Sequence, residues 1–179
     1  SENIVKKEGF LIGKGAAELI TFLGDVSFCD AKSILQKVIT ASSDKKITIE
    51  EVEKITGAPK GKLIEEIISG IEEKDSAKAL LAIERAKEQH IDMKLLLRLV
   101  LERVRSILLI RFAKDMESKI AESYTDSDFI FLKELAYKKG GVINSKVLDE
   151  ILRAYEEINY AAIKELPLQM ALMRLHGGY

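Results

Sequence analysis

The residues best able to do chemistry in this 179-residue chain are a Gly-Lys pair, one cysteine, two histidines and several paired carboxylates. The stretch GFLIGKGA, from Gly9 to Ala16, sets Gly13-Lys14 just before a predicted helix, whose first amides are able to hold an anion. A phosphate-binding loop requires four residues between its first glycine and the Gly-Lys pair, with a serine or threonine after the lysine. Here three residues, Phe10 to Ile12, intervene, Gly15 follows, and no buried strand precedes them, so the stretch reads as a turn. Cys29 falls in the first turn of a predicted helix, but a thiol nucleophile needs a base and no histidine lies nearby, so it reads as structural. His90 lies at a predicted helix end, where a cation is favourable, and His176 near the C-terminus. One cysteine and two histidines cannot assemble a Cys/His zinc cluster. The acidic pairs Glu50-Glu51, Glu65-Glu66, Glu72-Glu73 and Glu156-Glu157 have no convergent polar partner in sequence and read as solvated helix faces. Arg98, Arg103, Arg105 and Arg111 read as intramolecular ion pairs rather than contacts to a DNA backbone. Tyr155 and Tyr160 read as core edge, because no basic cluster interleaves with them as a base-stacking platform would require. No catalytic, cofactor or metal site is expected.

The elements that would position these residues are nearly all helical. The strongest is Ile91 to Phe112, IDMKLLLRLVLERVRSILLIRF, in which Lys94, Arg98, Glu102 and Arg105 form one narrow polar stripe, widened by Arg103. Apolar residues cover the rest of its circumference, which requires neighbours on several sides. It reads as a central strut of about 30 Å with Leu97, Leu101 and Leu108 buried, and its charges leave no apolar run near the ~20 residues of a membrane span. Before it, a first helix is expected up to about Glu8. A second runs from Gly15 to Leu23 with Gly24 as its stop, and a third opens at Ser27 with Asp30 as a weak capping-box acid. Thr48 and Glu51 form a capping box for a short helix ending at Gly57, and Pro59 precedes the next, with Leu63, Ile64, Ile67, Ile68 and Ile71. Asp75 or Ser76 caps a helix bearing Ala77, Leu80, Leu81 and Ile83, and Asp92 caps the strut. A polar connection then leads to a helix with Phe129, Ile130, Leu132, Leu135 and Ala136, ended by Gly140-Gly141. A long stripe from Val147 to Ala162 and a final helix opened by Pro167 complete an antiparallel bundle. No strand is expected, since the alternation at Ile47 to Ile49 is explained by the capping box.

Composition agrees with an all-α globular chain able to bury a real core, at 47% apolar and 32% charged residues. A net charge of -1 provides no global basic field for nucleic acid or anionic membrane. The lone cysteine fits a reducing, cytoplasmic setting, and Ser1 to Phe10 lacks the apolar core of an export signal. The absence of a starting methionine is expected of a fragment from a longer protein.

The order of segments resembles the C-terminal part of the bacterial DNA polymerase III gamma/tau subunit, the motor subunit of the sliding-clamp loader. VKKEGFLIGKGAAELITFLGDVSFCDAKSILQKVIT, Val5 to Thr40, resembles the small helical lid that follows the ATPase core, where a helix typically opens with Gly-Ser-x-Arg-Asp-Ala. ITIEEVEKITG, Ile47 to Gly57, is similar to the linker helix. Leu63 through the strut to LPLQMALMRL, Leu166 to Leu175, resembles the helical collar that joins the subunits into a ring. At the lid motif the chain reads Val26-Ser27-Phe28-Cys29-Asp30-Ala31, so Cys29 stands in place of the arginine that reaches the nucleotide phosphates, and a neutral residue cannot pair with phosphate.

The resemblance implies a lid-like region over residues 1–43 and a collar over 44–179, with the break in ASSDKK, Ala41 to Lys46. It implies a subunit-assembly part of the loader that works with an ATPase core absent from this chain. The implied partners are other loader subunits, with no cofactor, no direct DNA contact and no membrane. A free-standing helical adaptor, or a relative of the non-hydrolysing delta-prime subunit, is the alternative. Candidate interface residues are Val147, Ile151, Tyr155, Ile158, Leu168 and Leu172, with completion of the intramolecular core as the competing role for the same helices.

Overall fold

A computed structural model describes residues 9–27 and 29–177. The helix expected before Gly9 lies outside the described residues. In chain order the elements are β1 (Leu11–Ile12), α1 (Ala16–Val26), α2 (Ala31–Ala41), β2 (Lys46–Ile47), α3 (Ile49–Thr56), α4 (Gly61–Glu72), α5 (Ser76–Glu88) and α6 (Met93–Phe112). A 3₁₀ turn and the short α7 (Glu117–Ala121) lead to α8 (Asp126–Tyr137), α9 (Ser145–Glu157), a second 3₁₀ turn (Ile158–Tyr160) and α10 (Leu166–Leu175). The fold is all-α, with one minimal exception. β1 and β2 pair in parallel, Leu11 against Lys46 and Ile12 against Ile47. The alternation at Ile47 is thus a strand residue as well as the approach to a cap, contrary to the sequence expectation. The pair closes the α1–α2 hairpin at its open end, with the Gly13 amide donating to the Ile47 carbonyl at 2.8 Å.

Four helix starts are set by the residues expected. Thr48, Asp75 and Asp92 each accept a hydrogen bond from the backbone amide three residues on, satisfying one of the otherwise unpaired first-turn donors. Pro167 sits in the first turn of α10, where its missing N–H costs nothing. The N-terminal hairpin differs from expectation. α1 continues through Gly24 to Val26, and a Cβ at Gly24 would lie 2.8 Å from the Ala31 amide nitrogen. Gly24 is therefore the place where α2 crosses closely over α1, not a stop. The cap of α2 is Asp30, accepting from the Ser33 amide at 2.8 Å, while the Ser27 hydroxyl donates to the Cys29 carbonyl.

α6 is the expected strut. It packs against α1, α4, α8 and α9, and Leu96, Leu97, Val100, Val104, Ile107 and Ile110 are buried along its length. Leu108 is buried as expected, whereas Leu101 is only half-buried. Beside the strut, α4 and α5 form a tight hairpin. Its buried face on α5 is Ala79, Ala82, Ile83 and Ala86, and Leu81, expected inside, is 59% exposed. Small residues let the backbones approach: a Cβ at Gly70 would meet the Ala79 nitrogen at 2.8 Å. The stripe expected to run to Ala162 breaks after Glu157, and Ala162 is exposed. α10 folds back on α9 and reaches α5, with Arg174 donating to Glu150 at 2.6 Å and Lys87 meeting Glu165 at 3.0 Å.

Two helix ends are made by residues other than glycine. After α4 the Lys74 amide donates to the Ile71 carbonyl and the Asp75 amide to that of Gly70; after α5 the His90 amide donates to Lys87 and the Ile91 amide to Ala86. This pair of bonds is the Schellman pattern, which places its middle residue in the left-handed region. Lys74 and His90 accordingly have φ of 55° and 58°.

Candidate functional site

At the Gly-Lys turn Lys14 pairs with Asp126 at 3.2 Å and Gly15, at φ 81°, opens α1 without a side-chain cap. Cys29 is a free, exposed thiol. Among the described residues no group of three or more His, Cys, Asp or Glu is arranged to hold a metal ion. The strut arginines are engaged inside the chain. Arg98 donates to Glu102 at 3.0 Å and approaches Asp25 at 3.4 Å, and its guanidinium lies 5.0 Å from the Phe22 ring centre and 5.8 Å from that of Tyr155. Arg105 meets Glu102 at 3.5 Å. Arg111 donates to the carbonyls of Leu135, Ala136 and Ile143, closing the C-terminal end of α8.

Arg103 is the departure. Expected to widen the solvent stripe, it is 6% exposed and makes a buried ion pair with Asp128 at 3.0 Å. Its guanidinium also faces the Tyr124 ring at 5.8 Å, and burial pushes the Tyr124 phenol upward. Around this pair α1, α3, α4, α6 and α8 bring several carboxylates together. Glu53 on α3 is pushed up to about 7, first by burial and then by the charges of Glu50 and Asp128, against smaller opposing effects of the Gly61 amide and Arg103. Glu65 on α4 is raised too, chiefly by burial and then by Asp128. Glu72, read from the sequence as solvated, is 5% exposed and accepts from the Val142 and Ile143 amides at 3.0 and 3.1 Å. It thereby fixes the loop between α8 and α9. The ion pairing of Arg103 agrees with the sequence expectation, but its burial has no signal there beyond its place off the main stripe, and that of Glu72 none beyond its following the apolar Ile71.

Of the six candidate interface residues, Val147, Ile151, Ile158, Leu168 and Leu172 are none of them more than 2% exposed. They lie in the chain's own core, on α9, the turn after it and α10, where α9 packs on α6 and α10 packs on α9 and α5. Tyr155 is half-buried and lies against Arg98. The same two helices and the link between them expose a different apolar set: Leu152 on α9, Tyr160, at 90% exposure, and Ile163 in the link, and Leu166, Met170 and Met173 on α10. Tyr160, Ile163, Leu166, Pro167 and Met170 line an open cleft of about 340 Å³. Isolated exposed apolar residues are ordinary, but a contiguous group of this kind is characteristic of contact surfaces.

A strut wrapped by helical hairpins, with its arginines engaged within the chain, defines an all-α helical domain. The family model for DNA polymerase III subunits gamma and tau domain III matches residues 47–177, and the chain belongs to that family. Among solved structures it is similar to the DNA clamp loader delta protein of Bacillus subtilis, at a TM-score of 0.53 and 17% identity, over 94% of this chain and 52% of that one. At that identity the likeness establishes the fold, and the chain spans about half the length of that protein. No curated protein matches the chain. No helix among the described residues is long and apolar enough to cross a membrane.

Proposed function

We propose that this chain is the subunit-assembly part of a DNA polymerase III sliding-clamp loader, holding subunits together for ATP-dependent clamp loading in DNA replication. The observation that carries it is the domain III match over 47–177, and the exposed apolar group around the link between α9 and α10 supports it. Residues 1–43 serve as the lid-like region and 44–179 as the collar. Tyr160, Ile163, Leu166, Met170 and Met173 form the contact with a neighbouring subunit in place of the buried residues of the same helices. Cys29, standing where the family motif keeps arginine, favours a subunit whose lid does not sense nucleotide.

Sizing chromatography with the other clamp-loader subunits of the same organism tests this. A mixed complex is expected, and Met170→Glu should abolish it, because a carboxylate buried unpaired at an apolar contact costs several kcal/mol. Failure of the unmodified chain to co-elute with any loader subunit would leave the adaptor role in its place.

A further inference from the structure

Along one joint the fold gathers more acid than base. α3 packs on α1 and α2, α1 packs on the strut, and residues 57–60 tie α3 to α4. The small cavity where these elements meet takes Glu18 from α1, Glu53 from α3, Glu102 and Arg103 from α6 and Asp128 from α8. Glu102 is engaged by Arg98 at 3.0 Å and Arg105 at 3.5 Å, and Arg103 by Asp128 at 3.0 Å. Asp128 also occupies the start of α4, where Lys60 provides no side-chain cap and a Cβ at Gly61 would lie 2.9 Å from Asp128 Oδ1. The buried guanidinium and the positive end of that helix are thus both spent on Asp128, and a second ionised carboxylate beside it is uncompensated. Glu53 is that second carboxylate, and it makes no ion pair among the described residues.

The groups facing Glu53 oppose its charge. Burial acts first, then Glu50 on its own helix and Asp128 across the joint, against the Gly61 amide and Arg103; none of these leading influences comes from α2. α4 adds Glu65, itself raised by burial and Asp128 and opposed by Arg103 and Lys62, while Tyr124 faces Arg103. The two histidines lie elsewhere, after α5 and α10, helices that pack on α4, α9 and each other.

We propose that this joint is proton-operated: α3 and the α1–α2 hairpin seat on the rest of the chain while Glu53 is protonated, and loosen locally when it ionises. A neutral carboxyl fits the buried side of the joint, whereas a carboxylate recovers its hydration only by moving toward solvent. The link at 57–60 lets α3 make that movement while α4 stays packed against the strut. This concerns how the N-terminal elements seat on α6 and does not depend on the assembly role.

Hydrogen exchange of the unmodified chain and of Glu53→Gln, at about pH 5 and about pH 8 and corrected for the intrinsic effect of pH, tests it. In the parent, the amides of α1 and α3 should lose about fivefold in protection at the higher pH while those of α9 hold theirs, and in Glu53→Gln the loss should be absent. The same loss in parent and variant overturns the proposal. A loss shared equally by α9 overturns it as well, because the whole chain is then opening rather than the joint. If Glu53→Gln does not fold, the parent decides: a loss confined to α1 and α3 supports the joint, and no loss or a uniform one overturns it.

Discussion

Glu53 is the residue whose chemistry reaches furthest into the stability of the chain. Its carboxyl titrates near pH 7 in the fold against an ordinary value of 4.5, because burial and the neighbouring Glu50 and Asp128 oppose the charge. The fold therefore binds the proton more tightly than the unfolded chain does, and the linkage runs opposite to that of a salt-bridged acid. Below pH 4.5 both states are protonated and nothing is lost; between 4.5 and about 7 stability declines as pH rises; above that the full penalty applies. Since the side chain is half-exposed and screened by water, the effect is of order 1 kcal/mol, or about 2 to 4 °C in Tm for a chain of this size. Glu53→Gln, which imitates the protonated form, should be more stable than the parent above pH 7 and indistinguishable from it near pH 4.5. Thermal unfolding of the two across this range checks it, and a constant difference at all pH values would show that the fold does not raise the Glu53 pKa. Glu117 and Glu165, lowered chiefly by hydrogen bonds from Lys133 and Lys87, have the opposite sign, and their stabilisation is lost only on the acid side, below this window.

At the scale of the elements, the helix ends after α4 and α5 hold Lys74 and His90 in a backbone region that favours glycine. The left-handed conformation costs a residue with a Cβ about 1 kcal/mol. Lys74→Gly and His90→Gly are thus expected to raise stability by about 0.5 to 1 kcal/mol each, because the two Schellman bonds are made by backbone alone. Denaturant unfolding would show it as a higher midpoint at unchanged slope, and a lower midpoint would mean that the side chains, not the turns, matter there. His90 was visible in the sequence as a helix-end residue, but its backbone role was not. The caps at Thr48, Asp75 and Asp92, the Gly57 stop, the proline of α10 and the extent of the strut were legible, since each depends on side chains a few residues apart. Gly24, the Asp30 cap and the strand pair were not. The strand pair depends on a partner distant in sequence, Lys46 against Leu11, and Gly24 on the turn that lays Ala31 over it. The Asp30 cap is local, on Ser33, and was masked by Ser27, an equally good cap residue three positions earlier. The burial of five of the six candidate interface residues within the chain was not legible for a related reason: an amphipathic stripe shows that a face will be buried, but not whether its cover comes from the same chain or from another.

For the molecule as a whole, Arg98 is a single charge shared by both ends of the polypeptide. Its guanidinium lies between Phe22 of α1 and Tyr155 of α9, with Asp25 and Glu102 as its acids. A cation stacked on two rings cannot optimise its position over one without regard to the other, so the two rings are energetically linked although no chain segment joins them directly. A double-mutant cycle of Phe22→Leu and Tyr155→Leu should return an interaction energy of about 0.5 to 1 kcal/mol, and strict additivity would show that Arg98 serves each ring separately. The consequence is a route for crosstalk. An event that pulls on α9, beside the exposed apolar surface, is relayed through one side chain to the hairpin at the other end of the chain, and hydrogen exchange in α1 would register it.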